Sequence, residues 1–137
     1  MADTPRPDRD VIAAYLDEVE GELDAVRRLV MPPPSRFAAF HLQQAAEKLI
    51  KAVRLHRGLF ASKEHNLELL INELPEGDPW RERLAEFEML SAFATTYRYP
   101  TPTKGWRKPG PTPEKLLEIA QAIEALVPVA RKELLGL

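Results

Sequence analysis

The densest group of polar side chains at helical spacing lies in residues 37–57, and its members are Gln44, Glu47, Lys48 and Lys51. On a helix, side chains three and four residues apart lie within one turn of each other. An amide can bind a base or ribose edge, a carboxylate can orient a lysine, and lysines bind phosphate. The group therefore predicts a nucleotide-binding or RNA-binding face, which we expect to stay open to solvent.

Two other interpretations of these side chains remain open. Gln43, Glu47, Lys51 and Arg54 form one row along the helix. This row can be an ordinary solvated face in which Glu47 pairs with Lys51, worth a few tenths of a kcal/mol. Gln44 and Glu47 can instead be buried hydrogen-bonding groups at a dimer seam.

A second group of candidate residues interleaves aromatic rings with cations, and its members are Tyr97, Arg98, Lys104, Trp106 and Arg107. No acidic residue occurs between Glu88 and Glu114. Single-stranded nucleic acid is bound by this chemistry, because bases stack on rings while cations contact phosphates. The alternative is that the rings anchor a proline-rich loop to the fold while the charges are solvated.

Composition excludes several other classes of protein. The chain has no cysteine, which rules out disulfides, thiolate catalysis and cysteine-based zinc sites. Its three histidines lack the spacing of a metal site, and a net charge of −2 gives no general attraction to nucleic acid. No apolar run is long enough to cross a membrane, and the polar N-terminus does not resemble a signal sequence. We expect a cytoplasmic protein without a cofactor.

The candidate residues need helices to position them, and the apolar periodicity predicts these. A first helix follows a flexible lead of residues 1–9, is capped by Asp8 or Asp10, and ends at the prolines of residues 32–34. Its apolar seam steps by four and three residues. The members of the seam are Ile12, Leu16, Val19, Leu23, Val26 and Val30.

The second helix spans residues 37–57, with Leu42, Ala46, Leu49 and Val53 on its apolar side, and ends at Gly58. A short helix follows over residues 65–74, then a third long helix over residues 80–94, then a proline-rich loop over residues 98–112. The last helix starts near Pro113, and Pro128 is expected to kink or break it. The fold class is all-α, an up-and-down bundle of four long helices plus one short helix, in a single domain over residues 1–137.

Three motifs occur in order along the chain. They are FHLQQAAEK over residues 40–48 followed by Lys51, then EHNL over residues 64–67, then YRYP over residues 97–100. In this order and spacing the chain resembles the HEPN domain family, over roughly residues 11–134. The resemblance implies a bundle of about five helices that is often a homodimer, in agreement with the periodicity.

The family divides into two functional kinds, and the resemblance leaves both open. Some members resemble metal-independent endoribonucleases, in which an arginine and a histidine four to six residues apart meet across a dimer interface. Others lack that pair and bind nucleotides or RNA, or act as partners of minimal nucleotidyltransferases in toxin-antitoxin-like systems. Arg98 stands where the catalytic arginine is expected, but no histidine follows it.

One arginine and histidine pair does have a suitable spacing, Arg36 and His41, but it lies at the start of the second helix. Five positions on a helix correspond to about 140° of rotation, so the two side chains do not converge within one chain. We therefore predict a HEPN-like binding module without catalytic residues. The alternative is an endoribonuclease toxin with a non-standard site, in which Arg98 is catalytic and another group replaces the histidine.

Overall fold

The computed structural model describes residues 6–60, 62–94 and 111–137. Its helices are α1 (Arg6–Leu29), α2 (Phe37–His56), α3 (Leu67–Asn72), α4 (Pro79–Ala85), a 3₁₀ helix (Glu88–Ala94) and α5 (Pro113–Leu135). These three ranges contain no strand. The predicted all-α helical bundle is confirmed.

The core of the bundle is the packing of α1 against α2, with α5 lying against both. Every member of the predicted α1 seam is buried, from Ile12 to Val30. On α2, the predicted apolar residues are also buried, and Ala45, Ala46 and Ala52 among them are fully so. Small side chains let two helix backbones approach closely, which suits α2 to a central position.

Helix α5 runs without interruption through Pro128. The predicted break near Ala125 is therefore wrong. A proline inside a helix costs about 3 kcal/mol because it lacks an amide donor and its ring meets the preceding turn. Pro128 itself is exposed, while Val127, Ala130 and Leu134 around it are buried. Each buried aliphatic side chain contributes about 1.5–3 kcal/mol, so burial outweighs the cost of the proline.

The predicted third long helix is divided into α4 and the 3₁₀ helix. Leu84, Phe87 and Leu90 are all buried, and each of the last two donates its backbone N–H to the carbonyl three residues earlier. Hydrogen bonds over three residues are those of a 3₁₀ turn, so the chain tightens after α4 while these apolar residues stay in the core.

The helix ends also differ from prediction in detail. Helix α1 begins at Arg6, so Asp8 and Asp10 lie within it and do not cap it. The side chain of Asn66 caps α3 by accepting from the Leu69 N–H, at 3.3 Å. Gly58 has the expected positive φ, 79°, just beyond α2.

Two further findings concern the loop and the membrane. Of the predicted proline-rich loop, the structure describes only its last two residues, and Thr112 caps α5 by accepting from the Lys115 N–H at 3.1 Å. None of the described helices is both long and apolar enough to span a bilayer.

Candidate functional site

The polar row of α2 faces inward. Gln43, Glu47 and Arg54 are buried, and the side chain of Lys51 is only 15% exposed. The expectation of an open, solvated face is therefore wrong for this row. Polar side chains on one side of a helix ordinarily face water. Here Gln43 and Lys51 pair with Glu47 on the same helix, while Glu47 and Arg54 also have partners from the chain that follows α2.

Arg54 shows what covers this face of α2. Its guanidinium donates to the backbone carbonyl of Leu70 on α3, at 3.0 Å, and to that of Phe60, at 3.4 Å. It also forms an ion pair with Glu73 at 2.6 Å. Arg54 thus fastens the chain that follows α2, together with α3, onto the polar side of α2.

Glu47 is the centre of the buried polar group. It is 4% exposed, and each of its carboxylate oxygens has a partner. The Gln43 side-chain amide donates to Oε1 at 3.0 Å. The Lys51 ammonium lies 2.9 Å from Oε2, and Nδ1 of His65 lies 3.0 Å from the same oxygen. The carboxylate therefore joins a helical lysine to a histidine 18 residues further along the chain.

The charge on Glu47 is stabilised despite its burial. Burial by itself raises the pKa of a carboxyl group, because desolvation penalises the ionised form. Hydrogen bonds from Lys51, Gln43 and His65 outweigh this effect and hold the pKa of Glu47 below its usual value. Glu47 is therefore a carboxylate at neutral pH, and it accepts hydrogen bonds without donating any.

His65 lies at the surface although its partner is buried. Its side chain is 71% exposed, whereas that of Glu47 is 5% exposed. Because an ionised carboxylate only accepts, Nδ1 of His65 must carry the hydrogen, and Nε2 points away from the carboxylate. The sequence predicts that His65 caps or orients α3; Asn66 is the cap, and His65 instead pairs with Glu47.

The other two predicted residues of this helix face have different surroundings. The Gln44 amide donates to Oε1 of Gln43 at 2.8 Å, so Gln44 extends the group around Glu47. Lys48 instead turns toward α1, with ion pairs to Glu18 at 2.9 Å and Glu22 at 2.7 Å. Although burial opposes it, these two hydrogen bonds raise the pKa of Lys48 above its usual value. Lys48 therefore holds α1 to α2.

We call Gln43, Gln44, Glu47, Lys51 and His65 the Glu47 cluster. The periodicity of α2 indicates four of its members, since they share one helix. His65 belongs to the EHNL motif, but nothing in the spacing along the chain links it to Glu47. Only the path of the chain between α2 and α3 brings the two together.

The remaining candidates lie elsewhere. His41 pairs with Glu22 on α1, with Nδ1 at 2.6 Å from Oε1, and the Arg36 guanidinium lies over the Phe37 ring. Tyr97, Arg98, Lys104, Trp106 and Arg107 lie outside the described residues. Across residues 6–60, 62–94 and 111–137, no three acidic or histidine side chains form a metal-binding group.

A family model of the HEPN domain matches residues 13–133, which is most of the sequence. The chain belongs to the HEPN domain family. The Glu47 cluster is therefore a feature of a HEPN domain, built by its second helix and the turn before its third.

A solved structure has a similar fold. The chain is similar to the protein TT1696 from Thermus thermophilus, known from a crystal structure, with a TM-score of 0.66 and 25% sequence identity. The alignment covers 86% of this chain and 96% of the other. No curated protein matches the sequence significantly.

Proposed function

We propose that this HEPN protein is a binding module for a nucleotide or a segment of single-stranded RNA, and that the Glu47 cluster is its binding site. The observation that carries the proposal is the shared oxygen Oε2 of Glu47, which holds the Lys51 ammonium and the exposed imidazole of His65 side by side. Lys51 keeps N–H donors beyond the one used on Glu47, and the exposed side of the imidazole presents Nε2. A phosphate group would accept hydrogen bonds from these groups.

The donors of the cluster are not exhausted by Glu47. An ammonium group has three N–H donors, and the contact with Glu47 uses one donor of Lys51. Within the described part of the chain, no group hydrogen-bonds Nε2 of His65. The carbonyl oxygen of Gln44 remains an acceptor suited to a base or ribose edge, since its amide nitrogen already donates to Gln43.

A purely structural role explains His65 less well than the other members. A hydrogen bond from a largely exposed side chain contributes at most about 1 kcal/mol to folding. Gln43 and Lys51 already satisfy both oxygens of Glu47. An exposed imidazole held in one orientation by a buried carboxylate is better explained by a ligand that meets its outer nitrogen.

The second half of the proposed site is the aromatic and cationic group of residues 97–107. Tyr97 and Trp106 would stack on bases, while Arg98, Lys104 and Arg107 would contact phosphates. This part of the proposal rests on the sequence alone.

The binding test uses matched lysine variants. A labelled single-stranded RNA and a set of mononucleotides are titrated into the wild type, Lys51→Gln and Lys115→Gln. Lys115 is an exposed α5 lysine that also pairs with a glutamate on its own helix, Glu118 at 3.4 Å. A hydrogen bond to a charged group contributes about 1.5–3 kcal/mol, so Lys51→Gln should weaken binding at least tenfold. Lys115→Gln should bind like the wild type.

Two results would contradict this binding proposal. One is the absence of binding to any RNA or nucleotide by the folded wild type. The other is unchanged affinity in Lys51→Gln, with circular dichroism showing that the variant is folded.

The pairing of His65 with Glu47 also favours a second candidate function, a metal-independent endoribonuclease. A histidine oriented by a carboxylate is a common arrangement for proton transfer, and the expected histidine after Arg98 is missing. RNA is incubated with the protein in excess chelator. Cleavage that is lost in both His65→Ala and Arg98→Ala supports the enzyme, whereas bound but intact RNA supports the module.

Family resemblance adds two proposals about assembly, a homodimer and a nucleotidyltransferase partner in a toxin-antitoxin-like pair. Sedimentation equilibrium measures the first, and a mass of one chain at micromolar concentration contradicts it. Affinity purification of the tagged chain from its native cells tests the second, and recovery of the chain without a nucleotidyltransferase contradicts it. A cytoplasmic location likewise stays a prediction.

A further inference from the structure

The protonation state of His65 decides what the Glu47 cluster presents to a ligand. Nδ1 carries hydrogen in both states because it donates to Glu47. In the neutral ring Nε2 therefore carries a lone pair, which repels a phosphate oxygen. In the protonated ring Nε2 becomes a second N–H donor directed outward.

The net charge of the cluster changes with the same proton. Ionised Glu47 and the Lys51 ammonium cancel, so the cluster is neutral with a neutral His65 and carries one positive charge with a protonated His65. Close along the chain, Glu64 accepts from the backbone N–H of His65 at 3.1 Å. Lys63 and Glu68 are the remaining charged residues near it in sequence.

The 3₁₀ helix carries one charged residue, Glu88, and packs a polar side chain against this turn. Its Ser91 hydroxyl accepts from the Leu67 N–H at 2.8 Å, two residues beyond His65. From α2, the groups facing the imidazole are Glu47 and Lys51. An anion bound at the exposed Nε2 therefore lies next to the group whose charge changes when His65 is protonated.

We infer that the site takes a terminal phosphate monoester, and that the phosphate binds together with a proton on His65. This inference rests on the proposed function. A terminal phosphate carries close to two negative charges near neutral pH, while an internal phosphodiester carries one. A site with one positive charge and donors on both Lys51 and His65 therefore attracts the terminal group more strongly.

Because the phosphate binds together with a proton, affinity for the monoester should rise as pH falls from 7.5 to 6.5. Below about pH 6 the phosphate itself takes up a proton, which sets the lower limit of the useful range.

The experiment is isothermal titration of the full chain with adenosine 5′-monophosphate at pH 6.5 and 7.5, each in two buffers of different ionisation enthalpy. The second probe is 3′,5′-cyclic adenosine monophosphate, which has the same base and sugar but a diester. We expect tighter binding of the monoester than of the diester, tighter binding at pH 6.5 than at pH 7.5, and net uptake of protons on binding at pH 7.5. His65→Gln keeps an N–H donor that does not titrate, so the pH dependence of affinity and the proton uptake should both disappear. His56→Gln changes an exposed histidine at the end of α2 and should leave both unchanged.

Four results would overturn the inference while leaving the proposed function in place. They are equal affinity for monoester and diester, monoester binding without pH dependence, proton uptake that persists in His65→Gln, and binding of RNA without binding of the monoester. If the wild type binds neither the monoester, nor the cyclic diester, nor RNA, both the inference and the proposed function are overturned.

Discussion

Replacement of Glu47 by glutamine is the most informative perturbation of this domain. Glutamine keeps the shape of the side chain and can still accept from Gln43, but it removes the charge that faces Lys51 and His65. Lys51 is then a mostly buried ammonium without a counter-charge. A charge-assisted hydrogen bond contributes about 1.5–3 kcal/mol, and the exposed bond to His65 adds little. We expect Glu47→Gln to lower the free energy of unfolding by about 2–3 kcal/mol at pH 7.

The pH dependence of this loss has a definite sign. The folded-state pKa of Glu47 lies below its usual value, so its stabilisation is fully present above the glutamate range and is lost as pH falls through the folded value. In Glu47→Gln no such group titrates. The difference in unfolding free energy between the two proteins should therefore shrink as pH falls below about 4.5.

Urea denaturation followed by far-UV circular dichroism at several pH values between 7 and 3 measures both effects. The control is Glu18→Gln, which removes an exposed α1 carboxylate that pairs with Lys48. It should change stability by less than about 1 kcal/mol. If Glu47→Gln were as stable as this control at pH 7, or if its deficit stayed constant down to pH 3, the buried carboxylate would not be what stabilises the site.

Three further predictions concern other parts of the fold, and urea denaturation measures each. Gln43→Leu leaves Oε1 of buried Glu47 without its donor and should cost about 1–3 kcal/mol, whereas an unchanged midpoint would show that water replaces the amide. Pro128→Ala restores an amide donor on the exposed side of α5 and should raise stability by about 1–3 kcal/mol; a loss would mean that the proline ring packs favourably. Asp78→Ala removes both the α4 cap and the ion pair with Arg57, at 2.5 Å, and should lower stability by about 2–4 kcal/mol. Asp78→Asn should lower it less, because asparagine still caps the helix. Equal losses in the two variants would assign the effect to the ion pair alone.

Periodicity predicts α1 and α2 well because each buries one continuous apolar face. The seam of α1 from Ile12 to Val30 and the alanine-rich side of α2 are buried as expected. These patterns survive because the spacing of apolar side chains is a property of one helix, whatever packs against it.

Local rules fail where packing competes with them. Pro128 lies inside an unbroken helix, because buried neighbours on both sides of it compensate for the missing hydrogen bond. Leu84, Phe87 and Leu90 are all buried as the periodicity predicts, yet α4 ends at Ala85 and a 3₁₀ helix follows from Glu88. In both places the sequence indicates the local preference of the backbone, but not how strongly the packing contacts oppose that preference.

The candidate site shows the same division. The sequence by itself determines that Gln44, Glu47 and Lys51 share one side of α2, because helical spacing requires it. Only the tertiary structure decides that Glu47 is buried, that Lys48 pairs with Glu22 of α1, and that His65 completes the cluster. The physical reason is that a buried charge needs partners, and the partner that reaches Glu47 from outside its own helix arrives through the turn before α3, which no periodicity within α2 encodes.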